Sequence, residues 1–189
     1  MTTYLEALTD IGSQVNDPDL ETYKERAKAH FIRAINTLIE SGKYSENDYQ
    51  GYIKLITDLD LSSTYDATSL DVTRVEGIYP SPGGSEVFNV VRKETSDVAK
   101  ISRNPEMSPG YEDVFWWRIG SNIYAQVASV SAINLSSVTF DMEYTTGVDD
   151  DAWVDGTDLQ AAANYLSLKI VRDAIGIATQ TLIAETAGE

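Results

Sequence analysis

The hydrophobic period of this chain changes twice along its length, and that alternation restricts the fold more than any single motif does. Up to about residue 60 the apolar residues recur at three- and four-residue spacing. From about 69 to 147 the chain is rich in Val, Ile, Thr, Tyr and Phe in short runs separated by turn residues. From about 157 to the end the helical spacing returns. A helical stripe and a strand alternation cannot be exchanged without turning the apolar side chains to solvent. The reading is therefore α+β: a helical unit over 1–60, a β-rich domain over 61–156, and a C-terminal helix over 157–189 that packs with the N-terminal helices as one domain. With 189 residues, 42% apolar and 23% charged, the composition is globular and a sizeable core is available.

Within the first block, the sequence predicts its clearest helix from Asp17-Pro18 to Gly42. Asp17 is suited to cap the free amides, Pro18 to the first helical position, and Gly42 to a stop. Its stripe is Leu20, Tyr23, Ala27, Phe31, Ala34, Ile35, Leu38 and Ile39. A second helix is predicted from a capping-box start at Ser45 and Asp48, with Tyr49, Tyr52, Ile53, Ile56 and Leu59 on one face. A short helix near Tyr4–Ser13 carries a weaker signal because of Gly12. Strands are expected at Leu70–Ile78, Glu86–Lys93, Val114–Ile119, Ile123–Val130 and Leu135–Tyr144, with Ile119 and Ile123 flanking a Gly120-Ser121-Asn122 hairpin turn. They should make a small antiparallel sheet or sandwich. The last block reads as one helix of about 30 residues, some 45 Å long. Its stripe includes Leu166, Ile170, Ile177 and Leu182, and a helix of that length exceeds what a domain this size needs to cover its own sheet.

Composition excludes much chemistry. There is no cysteine, hence no disulfide framework, Cys-based zinc site, iron–sulfur cluster or thiol nucleophile. One histidine, His30, cannot build a His-rich metal cage. It sits beside the apolar stripe of the strongest helix and reads as a boundary residue rather than a general base. Fourteen basic residues against thirty acidic give a net charge of −16, which disfavours a basic nucleic-acid face and docking on anionic membranes. The acidic excess is densest in 61–156. The N-terminal residues lack a signal-peptide pattern, and no window approaches the roughly 20 apolar residues of a membrane span.

Asp149-Asp150-Asp151 with Asp155 could hold Ca²⁺ or Mg²⁺, but the alternation, central Gly and closing Glu of an EF-hand loop are missing, so a solvated acidic loop is the expectation. Pro82-Gly83-Gly84-Ser85 is too short for a phosphate loop. No catalytic residue, cofactor or metal ligand is assigned, and the chain is read as not an enzyme. The aromatic cluster is more informative. Tyr111, Phe115, Trp116, Trp117 and Tyr124 lie close together beside Arg118, and these are the residue types enriched in interface hot spots. Trp116, Trp117, Arg118, Tyr111 and Tyr124, with Leu166, Ile170, Ile177 and Leu182 of the last helix, are the candidate interface residues. Both Trp being buried under helices is an equally good reading of the same pattern.

The succession Asn104-Pro105-Glu106-Met107-Ser108-Pro109-Gly110-Tyr111, followed by Gly120-Ser121-Asn122-Ile123-Tyr124, within short helices, a small β domain and a closing helix, resembles the head–tail connector (adaptor or neck ring) proteins of tailed bacteriophages. The resemblance covers residues 104–124 as motif and the rest as layout. It implies a virion structural protein, assembled in the host cytoplasm and residing in the neck or tail region. Such a subunit would form a homo-oligomeric ring, commonly a dodecamer, that binds the portal protein above and a tail or neck protein below, with DNA passing through without specific binding. The resemblance brings no catalytic residue and no membrane contact. Another tail or minor head protein, and an acidic metal-binding module or enzyme, are the alternatives.

Overall fold

The computed structural model describes residues 2–82, 88–101, 103–129, 131, 133–149 and 153–187. The fold class is α+β, and the chain divides into two compact units. Unit 1 combines residues 1–53 with 147–189, and unit 2 is the continuous stretch 54–146.

Unit 1 is built on α1 (Tyr4–Ser13) and α2 (Lys24–Glu40). The α1 start is a full capping box. The Thr3 amide donates to Glu6 Oε2 at 2.7 Å, and the Glu6 amide donates to Thr3 Oγ1 at 3.2 Å. The next free amides, on Tyr4 and Leu5, donate to the carbonyls of Thr157 and Asp155.

The second helix begins later than the sequence predicts. Asp17 accepts from the amides of Glu21, Thr22 and Tyr23 at 2.8 to 3.0 Å, so its carboxylate occupies the groups an earlier helix would have used. Leu20 lies between them at φ +54°, a left-handed conformation that no helix interior contains. Pro18 and Leu20 thus belong to a turn, and the helical stripe runs from Ala27 through Phe31, Ile35 and Ile39.

The helix expected from Ser45 does not extend to Leu59. Its capping box is present, with Ser45 and Asp48 as predicted, but it opens only two 3-10 turns, Glu46–Asp48 and Gln50–Tyr52. Ile53–Leu59 is a strand, β1. Tyr49 and Tyr52 fill the core of unit 1, whereas Leu59 joins that of unit 2, so the single stripe divides between two cores. Gly51 reinforces the break. A Cβ there would stand 2.7 Å from the Tyr165 amide nitrogen, an approach only glycine permits.

Unit 2 then continues with β2 (Tyr65–Asp66), β3 (Val72–Pro80), β4 (Asn89–Arg92), α3 (Thr95–Ile101), β5 (Asp113–Ile119), β6 (Asn122–Gln126) and β7 (Phe140–Thr146). One sheet has the order β1-β7-β3 and the other β2-β6-β5-β4. Both contribute to one core, with Val75, Ile78, Phe140 and Met142 from the first and Val114, Trp116 and Ile123 from the second. The expected purely antiparallel arrangement is corrected at one pair. Strands β4 and β5 run parallel, Val90 opposite Val114 and Arg92 opposite Trp116, because α3 carries the chain back between them.

In β3 a strict period of two would put Val75 and Ile78 on opposite faces, yet both are buried. A register shift between Val75 and Gly77 inserts a bulge that restores the inward direction. The hairpin of β5 and β6 closes where expected, with Ile119 opposite Asn122 and Gly120 at φ +60°.

The closing helix α4 runs Leu168–Thr186, 19 residues or about 28 Å, not 30 residues from position 157. Ser167 caps it, its Oγ accepting from the Ile170 amide at 3.4 Å, while its own amide donates to the Asp48 carbonyl at 2.8 Å. The preceding segment is turns, within which Leu159 and Leu166 are fully buried. Helices α2 and α4 pack together, and both contribute small buried side chains to this core, Ala27 and Ala34 from α2 and Ala174 and Ala178 from α4. Burying each Leu, Ile or Phe here contributes roughly 1.5–3 kcal/mol.

Candidate interaction surfaces

The aromatic cluster sits on the β5–β6 hairpin, and the structure separates its members. Trp116 is 3% exposed and belongs to the unit 2 core, with the Arg92 guanidinium 5.6 Å from its ring centre. It is therefore not a surface residue. Trp117 and Tyr124 are half-buried, directly opposite in the hairpin register, and stack with centroids 5.7 Å apart and planes 6° from parallel. Phe115, the neighbour on the same side of the strand, lies under the Lys93 ammonium at 4.0 Å.

Arg118 serves the fold. Its guanidinium donates to the carbonyls of Val72 at 2.6 Å and Thr73 at 3.0 Å, and Nε donates to the Gly120 carbonyl at 2.6 Å. Of the five hairpin-region candidates, Tyr111 alone is strongly exposed, at 60%.

Tyr111 ends a loop whose shape is set by short hydrogen bonds. The Glu106 amide donates to Asn104 Oδ1 at 3.0 Å and the Gly110 amide to Asp113 Oδ2 at 3.0 Å, while Ser131 Oγ donates to the Tyr111 carbonyl at 2.9 Å. Met107 is exposed on the same loop, and Glu106 and Glu112 flank the two apolar side chains. Neither glutamate has an ion pair among the described residues.

Of the candidates expected on the last helix, Leu166 lies in the turn segment before α4, and Ile170 and Leu182 lie on α4; all three are fully buried core residues of unit 1. Ile177 is exposed at 40%. It lines a groove of about 300 Å³ with Leu38, Lys43, Arg172, Gly176 and Gln180. Asp173 sits in its wall. The Tyr44 phenol donates to the Asp173 carboxylate, the Lys43 ammonium stands 3.5 Å from that carboxylate, and Lys169 and Lys43 lie 4.9 and 5.4 Å from the Tyr44 ring centre. The hydrogen bond from Tyr44 leads the causes that hold the Asp173 carboxyl below its usual range, with Lys43 and Lys169 adding to it. Burial first, then Asp173, push the Tyr44 phenol up to about 12. Asp48 is likewise lowered, chiefly through Ser167, with Lys169 contributing.

His30 is 8% exposed, and its Nε2 lies 2.8 Å from Glu185 Oε2, an ion pair or hydrogen bond between α2 and the end of α4. Asp150 and Asp151 lie outside the described residues. Asp155 is engaged with Lys24 Nζ at 2.9 Å, and no group of three or more His, Asp or Glu among the described residues could hold a metal ion. No helix among the described residues is long and apolar enough to cross a membrane.

Sequence reasoning missed the groove and the flanking glutamates. The available signal was charge placement: Lys169 and Arg172 are the only cations of the last block and fall within one helical turn, followed by an unforced glycine at 176. No family model matches the chain, and no curated protein matches it either.

Proposed function

We propose that this chain is a virion structural subunit, a head–tail connector that forms a ring beneath a portal and lets DNA pass. One observation carries the reading: large apolar side chains with charged neighbours are exposed in each of two separate units. These are Met107 and Tyr111 in unit 2, and Ile177 with its groove in unit 1. A closed ring of identical subunits uses heterologous contacts, so each copy must present two dissimilar surfaces. Large exposed apolar side chains grouped with polar rims are the usual mark of such contacts. The net charge of −16 fits a conduit, since acidic walls repel phosphate and leave DNA mobile.

The test is mass measurement and negative-stain imaging of the purified protein, alone and mixed with the portal of its particle. Rings seated on the portal are expected. A chain that stays monomeric alone and with portal, and is absent from virions, overturns the reading.

A further inference from the structure

We infer that the groove beside α4 is the socket for the 106–112 loop of a second copy of this chain. The inference rests on the ring reading above and names the two surfaces that would meet.

Charge selects the pair. On a chain of net −16, most surfaces of one copy repel another. Around the groove Lys43, Lys169 and Arg172 stand against Asp173 and Asp48, a local excess of cations. Lys43 is engaged with Asp173 and Lys169 with the Tyr44 ring, while Arg172 has no ion pair among the described residues. The loop is the converse: Met107 and Tyr111 are exposed between Glu106 and Glu112, neither of which is paired among the described residues.

Shape agrees with charge. The groove's apolar floor is Leu38 and Ile177, and at Gly176 a Cβ would meet nothing within 4 Å, so that side stays open. About 300 Å³ is at the small end of ligand-sized hollows and accommodates one aromatic ring with its flanking chain. Both partners are pre-set, the loop by its Asn104 and Asp113 hydrogen bonds and the groove wall by Tyr44 on Asp173, so little ordering is required on docking. Socket and plug lie in different units of each copy, so the contact is head-to-tail and propagates from copy to copy.

The test is charge reversal read by mass measurement, alone and on the portal. Lys43→Glu with Arg172→Glu reverses the socket, and Glu106→Lys with Glu112→Lys reverses the plug. All four positions are exposed, and the circular dichroism spectrum verifies each fold. Because Lys43→Glu also removes the ion pair with Asp173, Arg172→Glu alone is the second socket variant, expected to melt as wild type and still to lose assembly. Each double variant is expected to lose assembly by about a hundredfold in association constant, because like charges then face one another. Mixing the two variants restores it, since each then offers what the other needs. Wild-type assembly should weaken between about 0.1 and 0.5 M salt.

If wild type assembles and either double variant assembles equally well, or the mixture does not recover, the docking is overturned while the connector reading stands. If wild type stays monomeric alone and on the portal, both fall.

Discussion

Asn36 and Val148 exchange two hydrogen bonds: Asn36 Nδ2 donates to the Val148 carbonyl at 2.9 Å, and the Val148 amide donates to Asn36 Oδ1 at 2.8 Å. A helix side chain thereby acts as a strand neighbour for the backbone at the point where the chain re-enters unit 1. Asn36→Ala leaves a partly buried donor and acceptor without partners and is expected to destabilise unit 1 by about 1–3 kcal/mol. Asn36→Asp is expected to be at least as costly, because a carboxylate then faces the carbonyl. Urea unfolding followed by fluorescence checks this. Trp153, packed against Tyr4 and Phe31, reports on unit 1, whereas Trp116 and Trp117 report on unit 2.

Arg118 reaches from the β5–β6 hairpin to the first residues of β3 through two carbonyls. Arg118→Met keeps the stem and removes every donor, and should lower the stability of unit 2 by about 1–3 kcal/mol. Arg118→Lys should recover only part, since an ammonium cannot span Val72, Thr73 and Gly120 with a planar fork. The measurement is the urea midpoint of the Trp116 and Trp117 signal. An Arg118→Met midpoint equal to wild type would show the clamp contributes nothing net.

Gly176 lies in the middle of α4 with open space where a Cβ would stand. Gly176→Ala should therefore stabilise the helix by about 0.5–1 kcal/mol, the ordinary helix-interior difference between the two residues. Gly12 is the contrast. Its Cβ would lie 2.4 Å from the Asp17 carbonyl oxygen, and Gly12→Ala should destabilise. Thermal melts of the two variants are expected to move in opposite directions.

Acid and alkali act at one contact. The carboxyls of Asp173, Asp48 and Asp17 are held below their usual range, by the Tyr44 phenol, by Ser167 and by the Tyr23 amide respectively. The unfolded chain binds these protons more readily than the folded one. The stability they provide is complete above about pH 4 and lost as pH falls through their folded values. Tyr44 is the reverse: its phenol is raised to about 12, so its contribution is intact below about pH 10 and lost between there and about 12. Asp173→Asn should flatten the acid limb of melting temperature against pH. It should also bring tyrosinate absorbance from Tyr44 in at lower pH, without a full return, because burial remains. An unchanged alkaline titration would disprove the coupling.

The buried faces of the helices were legible in the sequence, because Phe31, Ile35 and Ile39, or Ile170, Ala174 and Ala178, follow a period that only a helix satisfies. Helix ends were less so. Asp17 is a capping residue, as its type suggests, but it caps from six residues before Tyr23, which depends on Leu20 turning left-handed. Strand β1 was illegible for a different reason. Tyr52 and Leu59 serve separate cores, and no local spacing distinguishes one stripe from two half-stripes. The aromatic cluster was visible as a cluster, yet which face of β5 was covered depended on residues of the other sheet, Val75, Ile78, Phe140 and Met142, joining Val114 and Trp116 in one core, which no local spacing reports. The parallel pairing of β4 with β5 was equally illegible, because it requires α3, whose seven residues carry little periodic signal. The groove needs residues from two helices far apart in sequence and from the turn after α2, Leu38, Lys43 and Arg172, so only the charge pair on α4 hinted at it.

The interruption of the helical unit by residues 54–146 also sets an order of events at the ribosome. The inserted unit is complete in the growing chain before α4 has been synthesised, although α1 and α2 emerge first. Phe31, Ile35 and Ile39 thus wait without their final cover for the time needed to make about 130 further residues, several seconds or more at ordinary elongation rates. The half that starts first finishes last, and the interval in which its apolar face is open to the wrong partner is fixed by the length of the insertion.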